Sequence, residues 1–296
     1  MKNKILLVVV VLLTIIAVIS FYHKKTNFYL QQNYVDKPKT FIYLKDYDKK
    51  IDLNDYIIGV VAAEMPALFN EEALKAQAVV SRTFALYQME HKGYVTLADQ
   101  AYIREDEMHQ KWRDDFNKYY ERIKKAVLDT GNLCILYNNE LIKAYYFAIS
   151  SGTTADVKTV FNETYDYLIP VDSSFDKNVS KYETLTDVDL STFKNKLNID
   201  QINSLNVIKD DQGYVSQVVI NSNTYSGIDI RRIFNLRSAA FDININDNQI
   251  SFTCFGYGHG VGMSQYGANE LAKNSYDFKR IINYYYQNVE IKEYHV

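Results

Sequence analysis

The chain is 296 residues long, yet it holds only 11 glycines, three prolines, two cysteines and one tryptophan. Two cysteines exclude a small scaffold stapled by several disulfides. So few prolines and glycines, with no internal repeat and no low-complexity tract, exclude fibrous, solenoid and linker-dominated architectures. Cationic excess is missing too: 33 Lys and Arg stand against 36 Asp and Glu, with no long basic run, which argues against nucleic acid as a partner. What is present is a 47% hydrophobic fraction, enough for a sizeable core, and 26 tyrosines. Tyrosine serves half-buried packing, and its ring and hydroxyl also suit stacking on sugars. Scarcity makes the position of each glycine informative. Five of the 11 fall within residues 256–268, "GYGHGVGMSQYGA", around His259.

The first 25 residues differ from the rest. Lys2 and Lys4 precede an uncharged run from Ile5 to Tyr22, and His23, Lys24 and Lys25 follow it. A run of that length reaches the span of a bilayer, and "AVIS" is a poor cleavage site, so residues 1–25 read as an uncleaved transmembrane anchor rather than a signal segment. Lysines on both sides orient it only weakly. The remainder would be exported, with 29 of the 33 basic residues against 36 acidic ones. In such a compartment Cys134 and Cys254 could pair, or both could be ordinary buried thiols, since each sits in an apolar strand-like run. Cys254 and His259 could share a metal, but no further ligands stand at metal-site spacing, and no metal or cofactor is expected.

Residues 26–45 read as a linker and first strand, and 46–296 as one catalytic domain that could comprise two lobes. A helix is expected over "DLNDYIIGVVAAEMP", capped by Asp52 and ended by Pro66. A longer one follows Asn70, with Glu71 and Glu72 at its positive end and Gly93 closing it. A third spans about 112–129. Two strands flank an Asn138-Asn139 turn. Residues 184–200 look helical, opened by Thr186 and Asp187. A hairpin over "YVSQVVINSNTYSG", a short helix at "GIDIRRIFNL", two strands in "AAFDININDNQISFTCFGYG" and a last helix at about 263–274 complete an α+β pattern: helices carrying the candidate acid, packed against β hairpins, with a cleft between them.

Glu64 is the candidate acid. On the first helix it shares a face with Ile57, Val60 and Val61, at the point where proline breaks the helix. A carboxyl at the end of an apolar stripe is partly desolvated, so its pKa should rise, and it can then donate a proton near neutrality. The alternative is a structural glutamate bonded to a buried cation or amide. On the second helix Lys75 and Arg82 are seven apart and share a flat face, which can bind carboxylate or hydroxyl groups. Glu71–Lys75 pairing would also account for Lys75.

Three stretches, "VVAAEMPALFNEEALKAQAVVSRTFAL", "SGIDIRRIFNLRSAAFDI" and "GYGHGVGMSQYGANELAKN", resemble the sporulation stage II protein D family (SpoIID/LytB) in the family's own order, from about residue 40 to the C-terminus. The resemblance implies a peptidoglycan lytic transglycosylase. Such an enzyme cleaves between N-acetylmuramic acid and N-acetylglucosamine in glycan stripped of stem peptides and leaves 1,6-anhydro ends. It also implies a single-pass membrane protein of the mother cell, facing the septal wall during engulfment. Implied partners are glycan strands, the amidase stage II sporulation protein P and other engulfment membrane proteins. Glu64 matches the glutamate of the family's "AAEMP" motif, and Lys75 and Arg82 match its "ALKAQAVVSRT" helix, where they would hold substrate. Ser151 and Thr154 match a polar loop that reads closer to Ser-Gly-Gly-x-Thr in relatives, and Phe161 stands where relatives often have tryptophan.

Most glycosidases use two carboxylates, but a lytic transglycosylase can work with one, because the muramic acid C6 hydroxyl replaces water. Three rival readings stand beside it: a non-catalytic modifier that binds glycan and stimulates a wall amidase, a hydrolysing muramidase with a second carboxylate, and a structural sporulation scaffold. The glycine run lacks a Walker lysine and the spacing of a dinucleotide fingerprint. It reads as a tight loop entering a helix near Ser264, with its glycines admitting a sugar ring and with His259, Ser264 and Gln265 hydrogen-bonding substrate or orienting Glu64. The alternative is a glycine-rich turn whose histidine bonds backbone.

Overall fold

A computed structural model describes Val18, Ser20, residues 40–246 and residues 248–295. Met1–Thr40 and Phe41–Val296 form separate units. In the first, Val18 and Ser20 are helical and exposed. The expected anchor otherwise lies outside the described residues. Among the described residues no helix is long and apolar enough to cross a membrane.

The second unit is α+β. It opens with an antiparallel hairpin, β1 (Phe41–Leu44) and β2 (Lys49–Asp52). Helix α1 (Leu53–Glu64) starts where the Asp52 carboxylate accepts from the amides of Asn54 and Asp55. It stops because Met65, which precedes Pro66, is extended. Its Ile57, Val60 and Val61 are fully buried. The 22-residue helix α2 (Glu71–Lys92) is capped by Asn70 and ended by Gly93 at φ 77°. It runs through the centre of the core, with Ala73, Ala76, Ala78, Val79 and Val80 fully buried. The small residues let neighbouring helices approach it closely.

The expected third helix is instead two, α3 (Glu105–Trp112) and α4 (Phe116–Asp129), separated by a 3₁₀ turn at Arg113–Asp115. Strand β3 (Leu133–Tyr137) turns through Asn138 and Asn139, at φ 52° and 66°, into β4 (Glu140–Leu141). Asparagine tolerates this left-handed backbone, as a tight hairpin requires. The apolar run beyond β4 does not continue the hairpin. Its segment β5 (Tyr146–Phe147) pairs in parallel with β12 (Met263–Ser264). Helix α5 (Val157–Phe161) follows β5. Helices α8 (Gln265–Lys273) and α9 (Phe278–Tyr285) and strand β13 (Glu290–Glu293) close the chain, with β13 pairing to β3.

Residues between β5 and β12 build a second hydrophobic cluster around Phe193, Phe234, Phe241 and Phe252. Strand β6 (Glu183–Asp189) pairs with β11 (Gln249–Phe255), which pairs with β10 (Phe241–Asn246). Strands β7 (Leu205–Lys209), β8 (Val215–Ile220) and β9 (Asn223–Ser226) form a second sheet, followed by α7 (Gly227–Phe234). The helix expected over 184–200 is half strand. Leu185, Asp187 and Asp189 alternate outward along β6, a period-two pattern that pairing with β11 exploits, and only α6 (Leu190–Leu197) is helical. Cys134 and Cys254 are free, buried and in different clusters.

Candidate active site

Glu64 stands at the last turn of α1, half-buried at one side of an open cleft of about 430 Å³. Its Oε1 accepts from the Ala101 amide at 3.0 Å and the Tyr146 hydroxyl at 3.3 Å, and its Oε2 accepts from Gln265 Nε2 at 3.4 Å. Burial nonetheless raises its pKa above the usual glutamate value, against the lowering pull of these donors and of nearby Lys111. The carboxyl is therefore both held in place and able to carry a proton. Neither a solvated surface glutamate nor a buried ion pair has that combination.

The orienting groups are themselves oriented. Tyr146 also accepts from Gln100 Nε2 at 3.2 Å, and Gln100 Nε2 reaches the Ser81 carbonyl at 3.3 Å. Gln265 Nε2 is also 3.4 Å from Gln77 Oε1, while Gln77 Nε2 donates to Ser81 Oγ at 2.9 Å. Helix α2 thus supplies a buried polar row beneath the acid, and α8 delivers Gln265 from its first residue.

The glycine loop contributes His259 to the same cleft. His259 lies against the rings of Tyr145, Phe147 and Phe161 at centroid distances of 5.7, 5.8 and 5.1 Å. Tyr145 and Phe161 stack at 4.5 Å and 12°. Nδ1 of His259 accepts from the Val261 amide at 3.1 Å, which places the neutral ring's proton on Nε2. Burial, with Arg231 nearby, lowers its pKa to about 4, so the ring is neutral at physiological pH. His259 and Glu64 line the same cleft, nearly 200 residues apart in sequence. The glycines, however, do not serve a sugar. Gly260 and Gly262 have φ of 86° and 80°, and a Cβ on them would lie 2.4 Å from the Tyr214 hydroxyl and 2.0 Å from the Tyr145 carbonyl. They let the loop pack closely on Tyr214 and on the β5 segment, where Met263 donates to the Tyr145 carbonyl before the strand and Tyr257 to the Ile149 carbonyl after it.

Several expected substrate ligands lie elsewhere. Arg82 is fully buried and donates to the Leu133 and Val127 carbonyls and to Thr130 Oγ1, so it ties α2 to α4 and β3. Lys75 is paired with Glu72 at 2.9 Å and Glu71 at 3.2 Å, as the plain helix-pair reading has it. Ser264 is buried; it caps α8 and donates to Asp176 at 2.7 Å. Thr154 is buried and accepts from the Val171 amide at 2.8 Å. Ser151 faces the Thr153 and Gln212 carbonyls. None of these five lines the cleft.

Beside Glu64 and His259, the cleft is lined by charged residues that no motif marks. The cleft's cations are Lys143, paired to Glu163 at 2.7 Å, and Lys92, paired to Asp99 at 2.8 Å. Asp99 is a second carboxylate in the same cleft. It accepts as well from the amide and hydroxyl of Thr96, and its pKa lies below the ordinary value, since these donors and Lys92 outweigh its burial. Only Phe161 carried a sequence signal, as a departure from its relatives. Among the described residues no three His, Cys, Asp or Glu side chains cluster as a metal site.

A family model described as "Stage II sporulation protein" matches residues 46–137. Stage II sporulation protein D of Bacillus subtilis is 38% identical over 259 residues, covering 83% of this chain and 76% of its own length. The chain belongs to the stage II sporulation protein D family. The Bacillus amyloliquefaciens stage II sporulation protein D is 35% identical, over 83% of this chain and 75% of its own. A more distant relative, the amidase enhancer of Bacillus subtilis, is 25% identical over 80% of this chain and 40% of its own. The stretch matched by the stage II family model contains Glu64, the row beneath it on α2 and Asp99, and it stops before His259 and Gln265.

Proposed function

We propose that the chain is a lytic transglycosylase. It cleaves the N-acetylmuramic acid–N-acetylglucosamine bond of stem-peptide-free peptidoglycan and leaves 1,6-anhydro ends. The observation that carries this reading is a half-buried Glu64 with a raised pKa, hydrogen-bonded by three donors at the edge of a saccharide-sized cleft.

Protonated Glu64 gives its proton to the glycosidic oxygen as the bond from that oxygen to muramic acid C1 breaks. The C6 hydroxyl oxygen of the same muramic acid then bonds to C1, and the Glu64 carboxylate takes the hydroxyl's proton. One carboxyl group is thus restored with no water consumed. Asp99, held as an anion, contributes negative charge to the cleft in which positive charge develops on the sugar. Tyr145, Phe161 and neutral His259 supply the apolar wall for a ring face. Lys143 or Lys92 takes over the role first expected of Lys75 and Arg82, that of meeting a lactyl carboxylate. In the cell the enzyme would act in sporulation on septal wall, tethered to the mother-cell membrane and supplied with substrate by the amidase stage II sporulation protein P among other engulfment proteins.

The name of the amidase enhancer favours a second reading, a non-catalytic glycan binder that stimulates an amidase. Mass spectrometry of digested, peptide-free glycan separates the two. The expected products carry anhydro ends, and Glu64→Gln abolishes them. Reducing ends carrying added water would make Asp99 the base of a muramidase. No cleavage with amidase stimulation intact would establish the modifier.

A further inference from the structure

A second cleft, of about 630 Å³, opens beside the first. Five tyrosines line it: Tyr87, Tyr137, Tyr165, Tyr167 and Tyr294. Tyr165 stacks on Tyr167 at 5.1 Å and 26°, and Tyr137 leans on Tyr167 at 5.5 Å. Their hydroxyls meet acids and backbone. Tyr137 donates to Asp166 at 3.4 Å, Tyr294 donates to Glu90, and Tyr167 accepts from the Lys143 amide at 3.0 Å. The lining charges are Glu90, Glu140 and Asp166, with His91 beside them, and no Lys or Arg lines the cleft among the described residues.

The two clefts share their partition. Along the C-terminal half of α2, Phe84 and Gln88 face the Glu64 cleft, while Tyr87 and His91 face the second. Lys143, which lines the Glu64 cleft, pairs with Glu163, and their sequence neighbours Ile142 and Thr164 line the second. Tyr145, in the Glu64 cleft, donates to Glu163 at 3.0 Å, and Glu163 is followed directly by Thr164 and Tyr165 of the second cleft, while Lys143 of the first donates its amide to Tyr167 of the second. The two linings thus meet at residues 142–143 and 163–164.

We propose that the tyrosine cleft is a saccharide subsite for neutral sugar units of the same glycan strand, a reading that rests on the proposed glycan-cleaving function. Tyrosine faces stack on pyranose rings, and exposed carboxylates accept from sugar hydroxyls. Three acids without a cation repel phosphate, nucleic acid and free carboxylate, so the unit held here is the uncharged N-acetylhexosamine rather than the lactyl-bearing sugar. The Glu64 cleft, with Lys92 and Lys143, holds the acidic sugar. Alternating charge along the strand is matched by alternating charge along the protein.

The test uses the full chain carrying Glu64→Gln, so that bound sugar stays intact, and a β-1,4-linked N-acetylglucosamine hexamer as probe. Backbone amide resonances are expected to shift in two groups, one at His259 and Gln265 and one at residues 137–141 and 164–167. Adding Tyr137→Ala removes the second group and weakens binding about ten-fold. The exposed, fold-neutral Asp166→Asn weakens it about three-fold. Silence of residues 137–141 and 164–167, or unchanged affinity in both variants, overturns the subsite. If the wild-type chain fails to cut glycan while the second group still shifts, the catalytic reading falls and the saccharide subsite stands. If glycan is cut and the second group is silent, only the subsite falls.

Discussion

Glu64 and Asp176 are both carboxylates with pKa values raised by burial, and each accepts hydrogen bonds from three residues. Asp176 is fully enclosed. It collects the Ser150 amide at 2.8 Å, Ser173 Oγ at 3.1 Å and Ser264 Oγ at 2.7 Å, pinning the segment after β5 to the start of α8. Glu64 has looser bonds, at 3.0 to 3.4 Å, and one side on an open cleft. A raised pKa therefore does not identify a catalyst. Access separates the two: Asp176 is sealed in the core, while Glu64 opens onto a cleft.

The sharpest way to break the comparison is to replace each acid in turn. Glu64→Gln is expected to lower glycan cleavage by about 10³-fold or more without lowering the melting temperature, measured by product assay and thermal unfolding. Its linkage sign follows from the raised pKa. The folded state binds the proton more tightly than the unfolded chain, so wild-type stability falls as pH rises from the unfolded glutamate pKa toward the folded one. The Gln variant lacks that component of the slope. Asp176→Ala should do the reverse. It leaves the buried Ser150 amide unpaired, removes an acceptor from Ser173 and Ser264, and lowers unfolding stability by about 3 kcal/mol in denaturant titrations, while the folded fraction still cuts glycan.

A smaller effect sharpens the comparison from the side of the donors. Tyr146→Phe and Gln265→Ala each remove one hydrogen bond to Glu64, and each is expected to lower kcat about ten-fold. Fewer donors to the carboxylate raise its pKa further, so the basic limb of the pH–rate profile should move to higher pH in both variants. A purely structural role would leave that limb in place. His259 sets a different dependence. With a folded pKa of about 4, below the unfolded value, its contribution to stability is full above the unfolded pKa and is lost as pH falls toward 4. His259→Gln should flatten that part of an acid-unfolding curve. Lys75→Met should change least, by under about 1 kcal/mol with cleavage unaltered, because its ion pairs are on the helix surface and outside the cleft.

Local signals were legible wherever one residue decides the backbone. Asp52, Asn70 and Gly93 marked the ends of α1 and α2, and Asn138-Asn139 marked the β3–β4 turn, because caps and left-handed turns are chemistry within four residues. Glu64 was legible for the same reason, as a charge ending an apolar stripe before a proline. Residues 183–189 were not. Their helical or extended state was decided by pairing with β11, some sixty residues away. Arg82 was misread because a cation on a flat helix face looks the same in sequence whether the face meets solvent or carbonyl groups. Here it meets the last turn of α4 and the first residue of β3.

By itself, then, the sequence determined where α1 and α2 begin and end, that one glutamate stands on an apolar face, and to which family the motifs point. These follow from neighbours within a turn or two of backbone. Only the tertiary structure decided that Gln265 bonds Glu64, and that His259, Asp99, Lys92 and Lys143 share its cleft. It also decided that Ser264 and Asp176 are a staple rather than a site, and that the glycines near His259 exist for close backbone packing. The physical reason is common to all of these. Desolvation and access depend on which distant surfaces are brought together, and no local pattern encodes them.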